Sequence, residues 1–180
     1  AIDGVSVTGM PDYKRAKYIG RVFQDPLAGT APSLTIEENL SLAYLRGKRR
    51  GLGMGLTKAR REVFVEQLRS LQLGLEDRLT TKVGLLSGGQ RQALALLMAG
   101  FTHRKIMRLD EHTAALDPRI AGFVLELSAD IIREQRLTAL MVTHSMRQAL
   151  DVGDRTIRLD QGDVAVDVRG EERAGLDVPD

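Results

Sequence analysis

The stretch after Phe101 constrains the fold more than any other part of the chain. Lys105 to Asp110 (KIMRLD) reads as a strand, Arg119 to Glu134 as a helix, and Thr138 to Thr143 (TALMVT) as a second strand. Strands alternating with helices imply a parallel sheet, because a parallel pair needs a crossover that a helix supplies. Ser145 to Leu150 reads as a short helix. Arg155–Leu159 and Val164–Val168 then form a closing hairpin around Gln161-Gly162-Asp163. Upstream, Tyr18 to Phe23 (YIGRVF) is a further strand. Gln24-Asp25-Pro26 ends it, since proline cannot continue a hydrogen-bonded ladder. Ile2 to Thr8 looks like the remnant of a hairpin, with Asp3-Gly4 as its turn.

The middle of the chain has a different texture. Thr35 and Glu38 form a capping-box pattern. The helix it opens carries Leu40, Ala43 and Tyr44 at helical spacing. Arg60 to Leu73 places Val63, Phe64, Gln67, Leu68 and Leu71 at i, i+3 and i+4. Ser87 opens a third helix, apolar through Leu94, Leu97 and Met98. Gly47 to Gly55 reads as a solvated, basic, glycine-rich linker. The expectation is an α/β core from 1–26 and 101–168, interrupted by a helical subdomain over 27–100. A polar tail follows over 169–180.

Composition excludes several functions. The 180 residues are 43% hydrophobic and 28% charged, ordinary for a globular chain and wrong for a disordered one. No apolar run approaches the roughly 18 residues of a membrane span. Cysteine is absent, which removes disulfides, zinc thiolates and a thiol nucleophile. Three separated histidines do not make a metal cluster. Lys and Arg number 26 against 24 Asp and Glu, and aromatic residues are three tyrosines and four phenylalanines. That balance argues against a nucleic-acid partner.

Four stretches carry chemistry. Leu86-Ser87-Gly88-Gly89-Gln90 sets two glycines and a hydroxyl at a helix start, where orphan N–H groups and the helix dipole favour a phosphate. A plain helix cap with a glycine turn fits the same residues. Ile106 to Glu111 (IMRLDE) ends a strand in two adjacent carboxylates, at the sheet edge where α/β folds bind ligands. One could hold Mg²⁺ through water and the next orient or deprotonate an attacking water. A solvated acidic turn is the alternative. Thr143-His144 ends the next strand, and Gln24 the Tyr18–Phe23 strand, each either a ligand contact or an incidental polar cap.

Taken in order, these residues resemble the ATP-binding subunit of ABC transporters over about Ile2 to Val168. Val22-Phe23-Gln24-Asp25-Pro26 resembles the Q-loop. Leu86-Ser87-Gly88-Gly89-Gln90-Arg91-Gln92 matches the signature motif. Leu109-Asp110-Glu111 resembles the end of Walker B, Ala115-Leu116-Asp117 the D-loop and Thr143-His144 the H-loop. The resemblance implies a P-loop NTPase (RecA-like) core with an inserted helical subdomain. It implies ATP and Mg²⁺ as ligands. It also implies a second ATPase subunit meeting this one head to tail, and transmembrane permease subunits at the cytoplasmic face of a membrane. Ser87, Gly88, Gly89 and Gln90 would contact the γ-phosphate of ATP bound mainly to the partner. Asp110 and Gln24 would hold or sense Mg²⁺. Glu111 would act as general base, with His144 coupling it to the γ-phosphate, and Asp117 would act across the dimer. The region from Asp25 to Ala43 looks like that of import systems for small solutes of amino-acid type.

Three departures stand out. The phosphate loop G-x-x-x-x-G-K-[ST] is absent, since the only Gly-Lys pair, Gly47-Lys48, is followed by Arg49. The family places that loop upstream of Ile2, so the expectation is an N-terminally truncated chain that binds ATP weakly alone and exposes apolar surface. A non-catalytic fragment is the alternative reading. Arg108 stands where an apolar residue in a buried strand is usual, and should cost several kcal/mol (an order of magnitude) unless a carboxylate pairs with it. His112 stands where the family often has proline.

Overall fold

The computed structural model describes residues 1–48, 53–101 and 104–174. The described residues divide into two compact units, Ala1–Leu140 and Met141–Asp180.

The first unit opens with Ile2 and Val5 exchanging backbone hydrogen bonds at 2.9 Å across Asp3-Gly4, both at positive φ (46° and 77°). A short helix, α1 (Asp12–Arg15), leads into strand β1 (Ile19–Val22). The middle of the unit is helical: α2 (Ile36–Tyr44), α3 (Lys58–Arg69), a 3₁₀ turn over Val83–Leu85, and α4 (Gly88–Gly100). The Thr35–Glu38 capping box forms as its sequence demands: Thr35 Oγ1 accepts from Glu38 N–H while the Glu38 carboxylate accepts from Thr35 N–H at 2.7 Å. The Thr35 N–H and the Thr35 hydroxyl, which donates to the same carboxylate at 2.9 Å, hold the Glu38 carboxyl below its usual range. Strand β2 (Ile106–Asp110) and helix α5 (Pro118–Glu134) follow, and β3 (Thr138–Val142) spans the boundary at Leu140.

The three strands form one sheet in the order β1–β2–β3, with β1 and β2 parallel. The register pairs Ile19 with Ile106, Gly20 with Met107, Arg21 with Arg108 and Val22 with Leu109. Alternation then sorts the residues. Val22, Met107 and Leu109 are buried on one face, while Arg21, Arg108 and Asp110 share the other. Helix α4 lies close on β1. A Cβ on Gly20 would come within 2.8 Å of the Ala99 carbonyl oxygen, so only glycine admits the helix at that distance.

The main core lies among the helices. Ile36, Leu40, Phe64, Leu68, Leu71, Leu75, Leu94 and Leu97 are buried together. Tyr44, Phe64 and Phe101 meet edge to face, with centroids 5.5 to 6.0 Å apart. Val63 and Gln67, expected on the apolar stripe of α3, are exposed instead; the stripe is the narrower i, i+4, i+7 set of Phe64, Leu68 and Leu71. Residues 49–52 of the basic linker lie outside the described residues.

The second unit contains α6 (Met146–Asp151) and the antiparallel hairpin β4 (Arg155–Asp160) and β5 (Asp163–Arg169), closed by Gln161-Gly162 at positive φ (48° and 95°). A four-residue helix, α7 (Glu171–Ala174), occupies part of the expected polar tail; residues 175–180 lie outside the described residues. Among the described residues, no helix is long and apolar enough to cross a membrane.

Candidate functional site

The α4 start is built almost wholly from neighbours in sequence. Ser87 Oγ accepts from Gln90 N–H at 3.2 Å, and Gln90 Oε1 accepts from Ser87 N–H at 3.2 Å. This capping box ties down the first turn and takes the Gln90 N–H. The Gly88 and Gly89 N–H groups have no intrahelical acceptor in a first turn. They are what an anion at this helix end would meet. The cap is therefore compatible with the phosphate-binding expectation, because it leaves those two N–H groups unclaimed by the helix. The glycines also serve packing. A Cβ on Gly89 would fall 2.3 Å from Ile120 Cγ2, and one on Gly88 would sit 3.6 Å from Leu116 Cδ2. The first turn of α5 and the segment before it thus lie directly against the α4 start.

The strand end is built differently. Asp110 accepts from Arg21 at 2.8 Å and from Arg108 at 3.1 Å, both on Oδ2. The parallel register sets the two guanidinium groups side by side, and the carboxylate two residues on lies between them. The Arg21 hydrogen bond, with the charges of Arg108 and Arg21, holds the Asp110 carboxyl below its ordinary range. Arg108 thus has the carboxylate partner that the sequence reading left open and is not a buried unpaired charge. Its side chain is 43% exposed, its partner is Asp110, and β1, which carries Arg21, is an edge strand. Arg21 also lies over the Phe23 ring at 4.3 Å.

This arrangement bears on Mg²⁺. Asp110 and Gln24 as placed do not fit the ion: the Asp110 Oδ2 is engaged by two guanidinium groups, and Gln24 is exposed beyond the end of β1. Among the described residues, no group of three histidine or acidic side chains could hold a metal.

Glu111 follows Asp110 with φ at +45°, a conformation that costs an L-residue roughly 1–2 kcal/mol. It is half-buried, and its carbonyl accepts from Ala114 N–H at 3.0 Å. His112 is buried, with Nε2 2.8 Å from Ser128 Oγ, and burial pushes its imidazole down to about 4. Asp117, expected at a dimer interface, caps α5 by accepting from Arg119 N–H at 3.0 Å. His144 belongs to the second unit and is exposed, between Thr143 and the α6 cap Ser145.

Sequence reasoning missed two contributors. One is Arg21, whose link to Asp110 spans 89 positions. Gln92 is fully buried and its Nε2 donates to the Phe23 carbonyl at 3.1 Å, tying α4 to the chain just before Gln24. A glutamine on the otherwise apolar face of α4 was the available signal.

Comparison with known proteins agrees with this architecture. The ABC transporter family model matches residues 1–114. A tyrosine transport ATP-binding protein of Clostridioides difficile (strain R20291) is 45% identical over 177 residues, 98% of this chain and 70% of that protein. The thiamine import ATP-binding protein ThiQ of Salmonella choleraesuis (strain SC-B67) is 36% identical over 132 residues, 73% of this chain. The chain spans only about half (53%) of that second relative's length. A dimeric structure of the ATP-binding cassette MJ0796 in a post-hydrolysis state, bound to ADP and Pi, superposes with a TM-score of 0.74 at 31% identity, covering 93% of this chain and 71% of that one. With its sheet, its helix start and its paired carboxylates in the family's order, the chain belongs to the ABC transporter family, as an ATP-binding, ATP-hydrolysing subunit of the kind that energises transport.

Proposed function

We propose that this subunit energises the import of a small solute of amino-acid type, and that Glu111 and His144 carry its hydrolytic step. The observation that carries the solute class is the 45% identity, sustained over 98% of the chain, to a tyrosine transport protein. Two copies, or this chain and a related one, meet head to tail. Each α4 start then faces ATP held mainly by the other, with Ser87, Gly88, Gly89 and Gln90 donating to its γ-phosphate. Glu111 takes a proton from the attacking water, which positioning and electrostatics make nucleophilic without a covalent intermediate. His144 contacts the γ-phosphate, and Asp117 acts across the dimer. Gln24 faces permease subunits, which hold the subunit at the cytoplasmic face of the membrane. Asp110 would hold Mg²⁺ only after giving up Arg21 and Arg108; its part here is to fix the charge balance at the strand end.

Glu111→Gln tests the chemistry. Loss of general-base action lowers ATP turnover by about 10²–10⁴-fold with ATP affinity retained. Near wild-type turnover in that variant removes Glu111 from the role. A wild-type chain that turns over no ATP and binds it only weakly leaves the non-catalytic alternative. Uptake of labelled amino acids in cells carrying the chain with its permease, compared with cells carrying the Glu111→Gln variant, tests the solute.

A further inference from the structure

We infer that His112 is a positioning residue for Glu111, acting through a hydrogen bond to Ser128 on α5; the inference rests on the hydrolytic role proposed above. Ser128 Oγ donates its single proton to the Val124 carbonyl at 2.7 Å. Its oxygen must therefore accept from His112, which is 2.8 Å away through Nε2. Nε2 is thereby fixed as a protonated nitrogen of the imidazole. Both side chains are 2% exposed, so the bond is formed away from competing water.

The consequence falls on the neighbouring residue. Glu111 holds a left-handed backbone conformation that a glutamate does not choose by itself. Such a conformation persists only where its surroundings enforce it. On one side Asp110 is held in the sheet and by two arginines. On the other, His112 anchors the chain to the middle of α5. Between these anchors Ala114 N–H donates to the Glu111 carbonyl at 3.0 Å. The same helix presents Ile120 to Gly89. One rigid element thus sets both the general base and the helix start that faces phosphate.

Amide exchange and turnover on the same full chain test this, using Ser128→Ala, His112→Ala and His112→Gln, the last keeping an N–H donor near the Nε2 position. In wild type the ring ¹⁵N spectrum shows a protonated Nε2 and a bare Nδ1 on His112. Ser128→Ala and His112→Ala accelerate exchange of the Ala114 amide by about 10-fold, the scale of one lost buried hydrogen bond. The β2 amides of Met107 and Leu109 stay unchanged. Turnover falls in kcat with KM for ATP unaltered, and His112→Gln restores both readouts. The inference is overturned by the opposite tautomer, by unchanged Ala114 exchange, or by acceleration of Ala114 and β2 amides together, which would make the bond a general stabiliser. A wild-type chain without ATP turnover would defeat the hydrolytic role, and the tautomer and exchange results would still decide whether the anchor holds Glu111.

Discussion

The two halves of the candidate site are made by opposite means. At the α4 start, Ser87 and Gln90 satisfy each other across three positions, and the geometry is complete within one helical turn. At the strand end, Asp110 is held by Arg21 across 89 positions, and the following residues by a histidine reaching to the middle of α5. The first half would form wherever its helix forms. The second exists only when β1, β2 and α5 are already assembled. The proposed site would thus pair a local, self-organised helix start with a carboxylate segment whose placement depends on the whole sheet. The two halves meet where α5 touches both, through Ile120 at Gly89 and Ser128 at His112.

The contrast can be broken most severely at Gly89, where the local half depends on a distant partner. Gly89→Ala forces a Cβ into Ile120 and should cost about 1–3 kcal/mol, the range for overpacking. Adding Ile120→Ala should recover most of that loss in urea unfolding. A Gly89→Ala cost that Ile120→Ala leaves untouched would mean that α4 and α5 do not meet as described. Ser87→Ala addresses the local half alone. It removes a capping oxygen and should cost about 1 kcal/mol, independently of any change at Arg21 or Ser128. Coupling between Ser87→Ala and Arg21→Leu would erase the distinction between the halves.

The smallest effect is electrostatic. The folded-state Asp110 carboxyl titrates below its unfolded value because Arg21 and Arg108 stabilise the anion. Its contribution to stability is therefore complete above about pH 4, the ordinary carboxylate value, and is lost as pH falls through the lower folded one. Both arginines are nearly half-exposed, so the pair contributes only a few tenths up to about 1 kcal/mol. Arg21→Leu should lower the urea midpoint slightly at pH 7, and the gap from wild type should close as pH falls below about 4. A gap that widens with acid would reverse the assignment.

Much of the fold was legible in the order of residues. The Thr35–Glu38 box, the helix start at Ser87, the Asp3-Gly4 and Gln161-Gly162 turns and the strand ending in Asp110-Glu111 all appear where spacing put them. Each rests on contacts within about four residues or on period-two alternation. Val63 and Gln67 were misjudged because helical spacing names a face but not its width; the width follows from what packs against α3. Arg108 looked like a liability because its partner, though only two residues away, depends on whether that face of the strand is covered. The role of His112 was not legible because its partner, Ser128, lies 16 positions on in α5.

Sequence alone settled the helix starts, the turns, the element order and the residue types that can meet a phosphate or a water, because those depend on short-range backbone geometry. Assembly settled which charges Asp110 sees, why Gly89 must be glycine, and how Glu111 is held at positive φ. These are consequences of groups far apart in the chain brought within a few ångströms, and no local pattern encodes such a distance.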